Sequence, residues 1–508
     1  MFCMRFWLPL YALVLIAALG APLQAAADEP PPPDEAAPTE AAPPDEAAPP
    51  DEAATPDEAA PPDEAAPISY YRDVRPVLEA RCQGCHQPAK AEGGLVLTSV
   101  SRMQAGGDSE QPAFVPGDPD DSLLVLQIES SDGEPPLMPQ GQPPLTAEEV
   151  STIRQWIAAG GHDDTPASAA PPIDAEHPPV YTLPPVVSAL DFSPDGELLA
   201  VSGYHEVLLH RGDGSELVAR LVGISPRIES LAFSPDGRYL AVTGGAPSEF
   251  GEVQIWDVAE RTLVHSLVLT HDTVFGVSWS PDGKLVGFGC ADNTLRAIDA
   301  ASGAQVLFQG AHSDWVLGTT FATDASHLVS VSRDRSMKLT EVATERFVDN
   351  ITSITPGALK GGLMCVDRHP TEDHVAVGGA DGVPKIYQMY RTKARVIGDD
   401  FNLLRAFDAL PGRIFSVRFS ADGQWIVAGA SHDGGGEVRV YQVADGKLIA
   451  RLEGQQGPVY TCTFRRDGAL VASGGFDGMV RLSDPQTGAL TREFLAAPLT
   501  GPDVATAP

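Results

Sequence analysis

From about residue 180 onward, apolar and polar positions alternate with a period of two, and the alternation is broken at regular intervals by an Asp turn. The turns are Phe192-Ser193-Pro194-Asp195-Gly196, Phe233 to Gly237, Trp279 to Gly283, Phe419 to Gly423 and Phe464 to Gly468. Two degenerate copies, Phe321 to Ala325 and Arg368 to Glu372, fill the gap between them. Each turn is followed by an apolar strand such as Leu198 to Val201 or Val471 to Ser473, then by a third strand such as Val253 to Trp256 or Val438 to Tyr441, and by a fourth. Units of about 40 to 50 residues with four strands each predict an all-β, seven-bladed propeller over residues 180–495, with a tail at 496–508. Two segments compete to complete the last blade, Val180 to Leu183 and Leu490 to Leu495.

Ahead of the repeats the period changes. Residues 68–164 carry helical spacing and predict a small all-α domain. One helix is expected from Val74 to Cys82, with Asp73 as its cap and Pro76 in its first turn. A second opens on the capping box of Thr146 and Glu149, buries Val150, Ile153, Trp156 and Ile157, and ends at Gly160-Gly161. A shorter helix over Ser122 to Ile128 follows the turn Pro116-Gly117-Asp118-Pro119. An Ala/Pro-rich linker at 165–179 separates this domain from the repeats.

The repeats resemble the WD-repeat family over about 310 residues, from Val180 to Leu495. Ile255-Trp256-Asp257 is a near-ideal Trp-Asp dipeptide, which degrades elsewhere to Ala297-Ile298-Asp299, Val440-Tyr441 and Leu482-Ser483-Asp484. The resemblance implies a structural role for His271 and His312, bonded to a Ser/Thr and to the turn aspartates Asp292 and Asp334. It also implies a platform for a bound protein or peptide.

Composition alters the picture at the N-terminus. Arg5, an apolar run from Phe6 to Leu19 and Ala25-Ala26-Ala27 read as a secretory signal over residues 1–27. Its apolar core is short for a bilayer of about 30 Å, so no transmembrane segment is expected in the mature chain, although a retained anchor is the competing reading. Residues 28–67 contain only Pro, Ala, Asp, Glu and Thr, with 13 carboxylates and no basic residue, and read as an extended, disordered acidic spacer. The formal net charge of -35 argues against a nucleic-acid partner, which would call for cationic side chains along the phosphates. It favours a basic docking partner or simply solubility.

The candidate chemistry lies in Arg81-Cys82-Gln83-Gly84-Cys85-His86, a C-x-x-C-H motif for covalent attachment of one haem c. Thiols three residues apart, Cys82 and Cys85, can form thioethers to the two vinyl groups of one porphyrin, and His86 is then held beneath the iron. A sixth ligand must come from elsewhere in the domain. Met138, in the loop Leu137-Met138-Pro139-Gln140-Gly141, is the first choice; Met103 and an open site are the alternatives. Zinc would require a second pair of ligands, and a dithiol redox pair would require a βαβ setting; neither is present. The cysteines of the repeats, Cys290, Cys365 and Cys462, look like buried strand residues.

The wider segment resembles the planctomycete-type cytochrome c domain. The resemblance is carried by Asp73-Val74-Arg75-Pro76, Gly93-Gly94-Leu95, Gly106-Gly107-Asp108, Pro116-Gly117-Asp118-Pro119 with Ser122-Leu123-Leu124, Met138-Pro139 and Trp156-Ile157-Ala158-Ala159-Gly160. It implies mono-haem binding and electron transfer, with Cys82, Cys85, His86 and Met138 at the haem positions. The combined expectation is an exported, periplasmic c-type cytochrome whose propeller binds a redox partner or another protein. No catalytic constellation is recognised in the repeats. Two rival readings are kept: a haem enzyme whose propeller active site uses His205, His210, His369, His374 or His432 along a central channel, and a haem sensor or interaction scaffold.

Overall fold

The computed structural model describes residues 67–87, 90–130, 134–166, 173–310, 312–353 and 360–500. The chain divides into two units, Met1–Ala65 and Ala66–Pro508. The first, and with it the signal and nearly all of the acidic spacer, lies outside the described residues.

The N-terminal part of the second unit is built on four short helices: α1 (Arg75–Arg81), α2 (Val100–Ala105), α3 (Leu123–Ile128) and α4 (Ala147–Ala158). The capping box of α4 forms as expected. Thr146 accepts from the Glu149 amide at 3.2 Å while the Glu149 carboxylate takes the Thr146 amide at 2.6 Å. At the first helix the expectation shifts. A π-helical turn over Tyr70–Val74 precedes α1, and the capping side chain is Ser69, which accepts from the Arg72 amide. Asp73 closes the same turn from inside by accepting the Ser69 amide at 2.9 Å. Helix α2, capped by Ser99, has no counterpart in the expected elements.

These helices share one apolar core of Tyr70, Val74, Leu78, Leu97, Val100, Met103, Phe114, Leu124, Val125, Ile128, Ile153, Trp156 and Ile157. Trp156 is its centre, with ring centroids 4.8 Å from Phe114 and 5.4 Å from Tyr70, and its indole N–H donates to His162 O at 2.9 Å. Gly161 turns the chain at φ +62°, and a Cβ there would lie 2.2 Å from the Phe114 ring, so only glycine fits.

The rest of the unit is β-sheet. Among the described residues it forms five antiparallel sheets of four strands, within 274–309, 316–350, 363–406, 413–451 and 459–495, and one sheet of seven strands within 190–270. All run in sequential order, as short turns between consecutive strands require. The seven-stranded sheet contains a 17-residue strand, Leu217–Phe233, whose first half pairs with Tyr204–Arg211 and whose second half pairs with Tyr239–Ala246.

The recurring Ser-Pro-Asp-Gly phrase is a self-contained turn. Ser193 Oγ donates to Asp195 Oδ1 at 2.5 Å and accepts the Leu198 amide at 2.9 Å, with Gly196 at φ +76°. Ser234, Ser280 and Ser420 repeat the bond to Asp236, Asp282 and Asp422 at 2.6, 2.7 and 2.6 Å. Of the two candidates for the last outer strand, Leu490–Leu495 takes the place beside Met479–Ser483. Val180 to Leu183 does not pair there; Tyr181 instead bridges Leu499 in parallel. Packing therefore continues past the expected boundary at 495: Ala496 and Ala497 are buried with Tyr181, Val187 and Leu190, and His210 Nε2 lies 2.9 Å from Ala496 O.

Candidate functional site

The C-x-x-C-H motif occupies the exit of α1, where the backbone is tied down bond by bond. The Cys82 and Gln83 amides donate to Leu78 O at 2.9 Å, and the Cys85 and His86 amides both donate to Cys82 O at 3.1 Å. All three expected haem residues of the motif therefore sit on one turn. His86 and Gln87 form the short strand β1 (His86–Gln87), paired with β2 (Lys90–Ala91). Glu92 N donates to Cys85 O at 3.0 Å, and Leu97 N to His86 O at 2.8 Å. Inside the motif, Gln83 is buried and its side-chain amide donates to Leu97 O at 3.2 Å.

Cys82 is not in a disulfide and packs against the apolar core; burial pushes its thiol up to about 12, so it is protonated. Cys85 is likewise not in a disulfide. Met138 packs, half-buried, against the same core as Cys82, and its amide donates to Gln127 O at 2.9 Å. Met103, the alternative sixth ligand, is fully buried inside that core.

These residues suit a haem. Two thiols outside any disulfide, an imidazole and a thioether are the donor set such a group uses. The core against which Cys82 and Met138 pack is apolar apart from Tyr70, 2% exposed, whose buried hydroxyl has no hydrogen-bond partner among the described residues. That orphaned donor is a polar contact the core leaves open.

In the sheets, the first strands converge on a cavity of about 1770 Å³, lined among others by Leu190, Phe275, Leu317, Met364, Phe415 and Tyr460. Five arginines, Arg220, Arg227, Arg333, Arg413 and Arg418, line it against two carboxylates, Glu229 and Asp314, the reverse of the charge balance of the whole chain. Phe275 and Trp315 stack with centroids 5.6 Å apart, and Arg333 lies over Trp315 at 4.5 Å.

The five histidines considered for a channel do not line this cavity. His210 is buried against Ala496 O, and His205 Nδ1 is 3.4 Å from Gly223 O. His374 pairs with Glu372 at 2.7 Å, and exposed His432 pairs with Asp433 at 2.9 Å. His369 accepts the Glu372 amide at 3.1 Å and so shapes its own turn.

The two structural histidines part company. His312 bonds Ser330 Oγ through Nε2 at 2.8 Å and Asp334 Oδ2 through Nδ1 at 2.9 Å. His271 is exposed, and Asp292 is held instead by Arg296 and Thr294, each at 2.5 Å. Arg296, two residues beyond Thr294, thus takes the bond to the turn aspartate that the resemblance assigns to His271. Cys290, Cys365 and Cys462 are buried, outside any disulfide, and burial raises all three thiols. Among the described residues no helix is long and apolar enough to cross a membrane.

Comparison with known proteins agrees with both parts. The Planctomycete cytochrome C family matches residues 82–140, and the WD domain, G-beta repeat family matches 215–257, 261–299, 402–440 and 446–484. Periodic tryptophan protein 2 of Arabidopsis thaliana is 24% identical over 246 residues, 48% of this chain and 25% of that protein. The WD repeat-containing protein 26 homolog of the same plant is 24% identical over 235 residues, 45% of this chain and 37% of that protein. The serine-threonine kinase receptor-associated protein of Mus musculus is 24% identical over 236 residues, 41% of this chain and 66% of that protein. This chain thus spans about a quarter to two thirds of the length of these relatives. It joins a cytochrome c domain of the planctomycete type to WD40 repeats.

Proposed function

We propose that this protein is an exported c-type cytochrome that transfers single electrons through one covalently bound haem and uses a seven-bladed propeller to hold its partner. The observation that carries the reading is the turn Cys82–His86, in which both cysteines and the histidine are fixed by bonds to Leu78 O and Cys82 O beside an apolar core. Cys82 and Cys85 would hold the group covalently, and His86 and Met138 would supply ligands to its iron. When bound, the haem supplies one-electron redox chemistry, and Met/His ligation raises its potential. Met138 suits the role better than Met103 because it lies at the edge of the core, where Met103 is one of its central side chains. Leu78, Trp156 and Tyr70 belong to the same core as Cys82 and Met138 and would help to keep water from the group when it is bound.

The strand Leu217–Phe233 supports the count of seven blades. Its two halves pair with different neighbours, so the seven-stranded sheet divides into two four-stranded groups that share one strand; these and the five separate sheets make seven. Aromatic and arginine side chains around the cavity, Trp315 and Arg333 foremost, are the types that anchor protein interfaces. Export, inferred from residues 1–27, would bring the chain to the compartment where redox partners of this class meet it.

The test is the absorption spectrum of the full-length protein made in an export-competent, haem-loading host, oxidised and reduced, beside Met138→Ala. A c-type spectrum with a long-wavelength sulfur-to-iron band that the variant loses is the expected result. Absence of any c-type absorbance in the wild-type protein would overturn the proposal.

A further inference from the structure

The haem motif is in direct contact with the repeats at its one residue without a side chain. A Cβ built on Gly84 would lie 2.6 Å from the backbone oxygen of Ser266, in the strand Thr262–Thr270. Three residues on, the buried Gln87 donates through Nε2 to Ser266 Oγ at 3.2 Å. Ser266 Oγ donates in turn to Glu252 Oε1. Glu252 is fully buried in the neighbouring strand Phe250–Asp257, and its other oxygen accepts from Ser225 Oγ and from Gln254 Nε2, the latter at 2.7 Å. Gln254 Oε1 accepts the Trp256 indole N–H at 2.8 Å, which fixes the orientation of its amide.

A continuous hydrogen-bonded path thus runs from the residue after His86 to a carboxylate inside the first sheet. Both oxygens of Glu252 are met by donors, the arrangement an acceptor-only carboxylate requires. An all-polar hub of this kind is costly to bury and is retained only when every member is satisfied. Burial raises the carboxyl above its usual range, and the hydrogen bonds from Ser225, Ser266 and Gln254 offset only part of that rise.

We infer that Glu252 is a positioning residue for the haem motif: acting through Ser266 and Gln87, it fixes the strand that carries His86 and makes the propeller one wall of the haem site. The inference rests on the haem reading above. The propeller is then a part of the redox centre in addition to a docking platform. The path reaches Gln87, the neighbour of His86 on the same short strand, so it would act on the histidine through the position of that strand's backbone, and the placement of a metal-binding histidine tunes the metal it holds.

The experiment compares midpoint potentials, by spectroelectrochemistry, of the full-length haem-loaded protein and its variants Glu252→Gln, Ser266→Ala and Ser330→Ala. Glu252→Gln keeps the shape and puts an NH2 donor where one carboxyl oxygen accepts; Ser266→Ala breaks the path with a smaller change; Ser330→Ala removes a buried propeller hydroxyl remote from the path. The expected result is a shifted potential in the first two, at least threefold in the ferric-to-ferrous ratio at fixed applied potential, or about 28 mV for one electron. Ser330→Ala should lower the denaturation midpoint and leave the potential alone. Glu252→Gln or Ser266→Ala protein that carries haem at the wild-type potential would overturn the inference, as would an equal shift in Ser330→Ala. Wild-type protein that fails to load haem would overturn the haem reading and is recognised by its missing absorbance.

Discussion

His312 provides the sharpest energetic test of the repeat architecture, because His271 occupies the equivalent sequence position without the same contacts. Replacing His312 by Ala removes the bond to Ser330 Oγ at 2.8 Å and the bond to Asp334 Oδ2 at 2.9 Å. Ser330 is fully buried, so its hydroxyl is left unpaired, at a cost of ~1–3 kcal/mol. The bond to the aspartate is charge-assisted and worth ~1.5–3 kcal/mol; Asp334 keeps the Ser313 amide at 3.1 Å and Ser336 Oγ at 2.6 Å, which limits the loss. The two bonds share one ring and do not add fully, so the expected destabilisation is about 3–4 kcal/mol. His271→Ala, on an exposed side chain, should change stability by no more than about 0.5 kcal/mol. Urea denaturation of both variants, followed by tryptophan fluorescence, makes the comparison. Acid gives a second reading. Burial opposes ionisation of Asp334, but hydrogen bonds from His312 and Ser336 outweigh it and hold the carboxyl below its usual range. Its contribution is present above the unfolded pKa of about 4 and is lost as pH falls below that. The gap between wild type and His312→Ala should therefore narrow below about pH 4. Equal midpoints for the two alanine variants at neutral pH would refute the reasoning.

Joint replacement of Cys82 and Cys85 by Ser should abolish covalent haem, read as loss of haem staining on a denaturing gel, and leave the repeats folded by circular dichroism; stain retained in the double variant would count against the attachment site. Gly161→Ala forces a side chain into the left-handed region 2.2 Å from the Phe114 ring and should cost about 2–4 kcal/mol in the helical part, seen in its thermal transition. Burial raises Asp191 to about 6, against the pull of Arg418 and the Phe233 amide. With its folded value raised, the group stabilises the fold below about pH 4 and loses that contribution as pH rises towards 6. Asp191→Asn should remove this component from the urea midpoint between about pH 4 and 6; an unchanged pH slope would show that Asp191 is not the group responsible.

How far each feature could be read in the chain followed the range of the force behind it. Signals confined to a few residues were legible: the Thr146/Glu149 capping box, the Ser-x-Asp-Gly turns, the Cys82–His86 turn and the strand alternation after residue 180 depend on bonds between near neighbours. Even there, two close competitors were enough to mislead, since Asp73 and Ser69 share one turn and it is Ser69 that caps it. Choices between distant equals waited for the tertiary structure. It seated Leu490–Leu495 and not Val180–Leu183 as the last outer strand, because only one segment can pair with Met479–Ser483. It placed Arg296 on Asp292, leaving His271 in solvent, and buried His210 where a channel histidine was considered. Gly84 marks the boundary between the two kinds of knowledge. By itself the sequence determines that a haem-binding motif precedes a β-repeat, since the chemistry needs those residues at that spacing. Only the fold, by bringing Ser266 from 182 residues away to 2.6 Å of the place a Cβ would take, decides that the motif and the repeat meet there and that residue 84 has room for nothing larger than glycine.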